Sequence, residues 1–85
     1  FAAINTKPVD KMLSKLSQFG PVSVTTFDDF RAVQLDDYPS GYERVQTYQE
    51  WLEQADLDNP KKLYLITGSL YFITYVRKYI LEELI

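Results

Sequence analysis

One stretch organises the hydrophobic pattern of the chain: Leu63-Tyr64-Leu65-Ile66, then Thr67-Gly68-Ser69, then a long apolar-periodic segment. A short unbroken apolar run predicts a strand covered on both faces, as in a parallel sheet. Gly68 permits a sharp turn, and Ser69 or Thr67 can cap the helix that follows. That helix is predicted from about Leu70 to about Leu84. Ile73, Val76, Ile80 and Leu84 form its apolar stripe, with Tyr75 and Tyr79 beside it.

Upstream, Phe1-Ala2-Ala3-Ile4 reads as a first strand and Asn5 to Pro8 as a turn, with Pro8 at the first helical position. Val9, Met12, Leu13 and Leu16 recur at helical spacing until Gly20-Pro21 stops the helix. Val22 to Phe27 alternates as a second strand, which predicts a right-handed βαβ unit. Asp28 to Gln46 has no sustained period and reads as an excursion with at most one short turn. Thr47-Tyr48-Gln49-Glu50 is a capping-box pattern, and Tyr48, Trp51, Leu52 and Ala55 give the helix after it an apolar face. Trp51 is most simply the anchor of that helix.

The order β-α-β-α-β-α over residues 1–85 predicts a single α/β domain: a small three-stranded parallel sheet with flanking helices. Three parallel strands leave unpaired edges. The reading therefore expects at least one further strand in the native unit, with this chain a piece of a longer one. It also expects self-association through the exposed strand edge.

Composition narrows the function. The chain is 46% hydrophobic and 15% aromatic, enough for a globular core. A chain of 85 residues nevertheless buries only about 60–65% of its unfolded surface, so the stability margin is thin. It contains no cysteine and no histidine, which excludes disulfides, thiolate chemistry and any Ser-His-Asp or Cys-His constellation. Net charge is -3 with no basic stripe, which argues against nucleic acid and anionic membrane as partners. No signal peptide or membrane span is visible, and a cytoplasmic location is expected.

In a parallel sheet the C-terminal strand ends share one side, where ligands bind. That side would carry Asn5-Thr6-Lys7, Asp28-Asp29 with Arg31, and Thr67-Gly68-Ser69. Lys7 with the Gly68 and Ser69 amides can form a cradle for a phosphate or carboxylate. An ordinary turn and helix cap, with a solvated lysine, explains the same residues. Asp28 and Asp29 read either as a metal or acid/base pair or as solvated and capping groups. Arg31 reads as a partner of one of them or of a ligand. Tyr71 falls in the first turn of the last helix, at the mouth of this site or packed on the sheet edge. No Walker loop or G-x-G-x-x-G fingerprint is present.

Thr67-Gly68-Ser69-Leu70-Tyr71-Phe72-Ile73, with Val76-Arg77 after it, resembles the last strand and helix of folylpolyglutamate synthases and bifunctional dihydrofolate synthases, members of the Mur ligase superfamily. Phe1-Ala2-Ala3-Ile4, Lys7, Val9 and Met12-Leu13 are similar to that family's strand, lysine-bearing turn and helix. Val24-Thr25-Thr26-Phe27 with Arg31-Ala32 resembles its next strand and Arg-Ala step. The resemblance spans nearly the whole chain in order, and Gly68-Ser69-Leu70-Tyr71 is its most specific part.

The resemblance implies an incomplete Rossmann-like Mur ligase C-terminal domain. Such ligases use ATP and magnesium to make an acyl phosphate on a folate carboxylate, which the amino group of L-glutamate then attacks. An N-terminal P-loop domain of the same parent chain carries the nucleotide loop and the metal ligands. By carry-over, Ser69 and Tyr71 face the incoming glutamate, and Gly68 allows close approach. Lys7 and Arg31 lie toward the nucleotide or the domain interface. No catalytic residue and no metal ligand is assigned within this chain. The family's opening strand with its Asp-Gly-Ala-His-Asn motif has no counterpart here, since the chain has no histidine. The expectation is a piece with no ligase activity alone. A free-standing, non-catalytic α/β interaction module is the alternative, and a sister ligase acting on another acid is a third reading.

Overall fold

The computed structural model describes residues 1–85. In chain order, α1 spans Val9–Leu16, β1 Ser23–Val24, a 3-10 turn Leu35–Asp37, β2 Glu43–Arg44, α2 Tyr48–Gln54 and α3 Leu70–Tyr79, with π-helical residues Ile80–Leu84 after it. The domain is mixed α/β, and its regular sheet has two parallel strands, Ser23 opposite Glu43 and Val24 opposite Arg44. No helix is long and apolar enough to cross a membrane.

The three-stranded sheet is not formed as expected. Residues 1–4 make isolated bridges instead of a regular strand: Ala2 pairs parallel with Gly68, and Ile4 pairs antiparallel with Ala32. Residues 63–66 form no strand and make no backbone hydrogen bond. The sheet's second strand, β2, lies instead in the stretch read as an irregular excursion. A two-residue strand is too short to leave an alternating pattern in sequence.

Pairing nevertheless continues past the regular strands. The Phe1 nitrogen donates to the Ser23 carbonyl at 3.0 Å, and the Thr25 amide donates to the Phe1 carbonyl at 2.9 Å. On the other side, Ala2 donates to Thr67 at 3.4 Å and Ser69 donates to Ala2 at 2.9 Å. Residues 1–2 thus lie between the 23–25 and 67–69 segments, with backbone groups pointing alternately to each, as in the centre of a parallel ladder.

Two apolar clusters sit on either side. Ala3, Leu13, Val24, Val33 and Tyr38 pack together under α1. Ala2, Phe27, Ala32, Tyr48, Leu52, Phe72 and Val76 pack under α2 and α3. Ala2 and Ala3 enter opposite clusters because successive side chains of an extended segment point to opposite faces. Only 13 of 85 residues are buried, in keeping with the thin core expected of this length.

Helix α1 begins one residue later than predicted, with Pro8 preceding its first turn. Thr47 starts α2, but its side chain makes no capping bond, so the capping box is not closed. Ser69 does cap α3: its Oγ accepts the Tyr71 amide at 3.1 Å. The buried edge of α3 is Phe72 and Val76, while Ile73 and Ile80 pack only partly and Leu84 stays exposed.

Candidate functional site

The segments read as strand ends do converge on one side. The Asn5 amide donates to the Arg31 carbonyl at 2.7 Å, which places the 28–32 loop beside the end of the 1–4 segment. Within that loop the Asp29 carboxylate accepts the Arg31 amide at 2.8 Å and grips the guanidinium twice, Nε to Oδ1 at 3.0 Å and Nη2 to Oδ2 at 2.9 Å. Such a two-point grip fixes the plane of the guanidinium. Its central carbon lies 3.9 Å from the centroid of the Tyr71 ring and 5.4 Å from that of Phe30. A cation at this distance from an aromatic face is attracted by the ring quadrupole.

Hydrogen bonds from Arg31 hold the Asp29 carboxyl below its ordinary range. The same bonds, and after them the Tyr71 hydroxyl, push the Arg31 guanidinium further up, so it stays charged at every accessible pH. The Arg31 Nη1 group makes no hydrogen bond in the protein, which leaves one edge of the fork free for a carboxylate or phosphate oxygen. The Ser69 hydroxyl spends an acceptor on Tyr71 and keeps its own proton to donate.

Of the five sequence-derived candidates, Arg31, Tyr71 and Ser69 come together through these contacts. Lys7 is exposed, and its ammonium makes no hydrogen bond or ion pair. It lines a hollow of about 350 Å³ with Asn5, Phe30 and Asp37. Gly68 has φ +132, a conformation L side chains rarely adopt, and a Cβ there would fall 1.9 Å from the Ala2 carbonyl oxygen. The chain itself makes the close approach at this glycine.

Of the two amides read as a cradle with Lys7, that of Ser69 is spent on the Ala2 carbonyl, while that of Gly68 makes no hydrogen bond within the chain. Asp28 and Asp29 do not act as a pair, because Asp29 is committed to Arg31. No group of three acidic side chains gathers to hold a metal ion, and no phosphate-binding loop is present.

Sequence reasoning missed two residues that shape this region. The buried Tyr38 hydroxyl accepts the Ala3 amide at 3.1 Å and donates to the Thr25 carbonyl at 3.0 Å. Arg44 donates to the carbonyls of Tyr38, Pro39 and Tyr42, which closes the loop before β2. Both contacts are long-range or loop-specific, and neither has a sequence signal. Compared with protein-family models, with curated proteins and with solved structures, the chain finds no match.

Proposed function

We propose that this chain is the C-terminal-domain part of an ATP-dependent ligase of the folylpolyglutamate synthase type, and forms the wall against which L-glutamate binds. The observation that supports this reading is the Arg31 guanidinium seated on Tyr71 beside the Ser69-capped start of α3. Together these offer a free cationic edge, a hydroxyl donor and an aromatic face, a set suited to an amino-acid carboxylate. Arg31 then serves glutamate as well as the interface, and Lys7 remains a solvated cation for the nucleotide side. No group of acidic side chains here gathers to hold magnesium and the chain has no phosphate-binding loop, so the metal and the main phosphate contacts are assigned to a P-loop domain of the parent chain, and no step is derived through them. Folate, L-glutamate and that domain are the partners, the compartment is the cytoplasm, and the chain alone has no ligase activity.

The test is steady-state turnover of the full ligase carrying Ser69→Ala or Tyr71→Leu. A rise in the glutamate KM with the ATP KM unchanged supports the assignment. Unchanged kinetics in both variants return Ser69 to a helix cap and Tyr71 to a packing residue. Folylpolyglutamate formed by the isolated chain overturns the reading of its inactivity. The alternative is a non-catalytic α/β interaction module; a P-loop in the same reading frame separates the two.

A further inference from the structure

Residues 27–31 lie along the first two turns of α3 and run against its direction. The Phe27 ring stands 5.6 Å from that of Tyr75, centroid to centroid, and the Arg31 guanidinium carbon 3.9 Å from the Tyr71 centroid. Tyr71 and Tyr75 are neighbours on one face of the helix, one turn apart. Two turns fold the segment tightly: the Asp29 amide donates to the Phe27 carbonyl at 2.9 Å, and the Ala32 amide to the Asp29 carbonyl at 3.0 Å. Between the two aromatic contacts lies Asp28. It is exposed, and its carboxylate makes no hydrogen bond or ion pair. Its charge reaches the start of α2, where it helps to raise the pKa of Tyr48, after burial and Tyr75.

The charges of this segment decide what it can hold. Two carboxylates, Asp28 and Asp29, stand against one guanidinium, Arg31. Asp29 already matches the Arg31 charge through its two-point grip, which leaves the charge of Asp28 without a partner. A ligand carboxylate on the free edge of Arg31 therefore comes up beside an unpaired negative charge. Like charges at close range oppose binding, and a cation carried by the same ligand reverses the sign. An α-amino acid carries that cation on the carbon next to its carboxylate. A simple carboxylate or a phosphate brings none. The segment thus offers a donor edge and an acceptor carboxylate within one tight loop, which are the complements of the two ends of a zwitterion.

We propose that Asp28 accepts hydrogen bonds from the α-ammonium of the amino acid whose carboxylate meets Arg31, and so makes the segment 28–31 selective for a zwitterion. This rests on the reading of Arg31, Tyr71 and Ser69 as the wall for L-glutamate. It adds the group that tells an amino acid from a plain dicarboxylate. Hydrogen bonds between an ammonium and a carboxylate are shorter and stronger than neutral ones, so one such contact discriminates well.

The test compares L-glutamate with glutarate, which has both carboxylates and no amine, in the full ligase. Glutarate should compete at least about tenfold more weakly than glutamate itself binds. Asp28→Asn removes the charge and keeps the size of the side chain. It should raise the glutamate KM by about tenfold, leave the ATP KM unchanged and weaken glutarate not at all. The side chain is exposed, so circular dichroism should show the fold unchanged. Three outcomes overturn the proposal. One is glutarate competing as well as glutamate binds, which means that the ammonium adds nothing. Another is a glutamate KM unmoved by Asp28→Asn, which leaves Asp28 a solvated carboxylate. The third is a joint rise of the ATP and glutamate KM values, which means that the change acts through the shape of the loop. If Ser69→Ala and Tyr71→Leu raise the glutamate KM while Asp28→Asn does not, the role of Asp28 alone falls. If none of the three moves it, the glutamate wall falls as well.

Discussion

The guanidinium carbon of Arg31 lies 3.9 Å from the centroid of the Tyr71 ring, and this contact ties the loop after β1 to the first turn of α3. The ring face attracts the cation, and the Tyr71 hydroxyl adds to the pull on the guanidinium. Tyr71→Phe, which keeps the face, should therefore lower the urea midpoint of unfolding less than Tyr71→Leu does. Equal midpoints for the two variants would show that the stacked pair contributes nothing to stability.

Asp29 makes the same region sensitive to acid. Its carboxyl is held below the ordinary range chiefly by the side-chain hydrogen bonds from Arg31. A folded-state pKa below the unfolded one stabilises the fold above the unfolded value, about pH 4, and that stability is lost as pH falls through the folded value. Thermal midpoints of the native chain and Asp29→Asn should differ most near neutrality and converge below about pH 4. A gap that stays constant from neutrality down to the acid limb would mean that the ion pair is not its source.

Gly68 is fixed by the path of the chain. A methyl group there meets the carbonyl of Ala2, whose neighbours are bonded on both sides and cannot step away. Gly68→Ala combines a backbone clash with an unfavourable φ, and should cost about 2 kcal/mol or more. Chemical denaturation checks this. A loss under about 1 kcal/mol, the range for a Gly-to-Ala change at an unstrained site, would mean that the Ala2 segment moves aside freely.

Local features of this fold were readable from the residues, and long-range ones were not. The Ser69 cap and the Asp29–Arg31 pair involve residues two apart, where side-chain chemistry alone decides the partner. Helices α1, α2 and α3 follow from apolar spacing over two turns or more. Leu63–Ile66 misled because a continuous apolar run signals burial on both faces only if something covers both. Here Tyr64 packs edge-on against Trp51 on one face, while Leu63 and Leu65 have no cover on the other. The meeting of Arg31 with Tyr71 spans 40 positions of sequence and depends on the Asn5–Arg31 and Ala2–Ser69 bonds, which no periodicity announces.

Tyr38 joins two neighbouring segments through one buried hydroxyl, accepting from Ala3 and donating to Thr25. Tyr38→Phe keeps the ring and strands both backbone groups away from water, which should cost about 1–3 kcal/mol at neutral pH. In a domain of this size that lowers the thermal midpoint by about 4–8 °C per kcal/mol. The same tyrosine contributes to an alkaline limit. Burial raises the pKa of Tyr38 and of Tyr48, and the hydrogen bond to Glu53 pushes Tyr79 up to about 12. Their contribution to stability is complete below the unfolded tyrosine value of about 10 and is lost as pH climbs through the raised folded values. Melting curves from pH 8 to pH 12 should fall steeply above about pH 10 for the native chain and less steeply for Tyr38→Phe. A variant that keeps the native midpoint at pH 7 would show that water replaces the hydroxyl between Ala3 and Thr25.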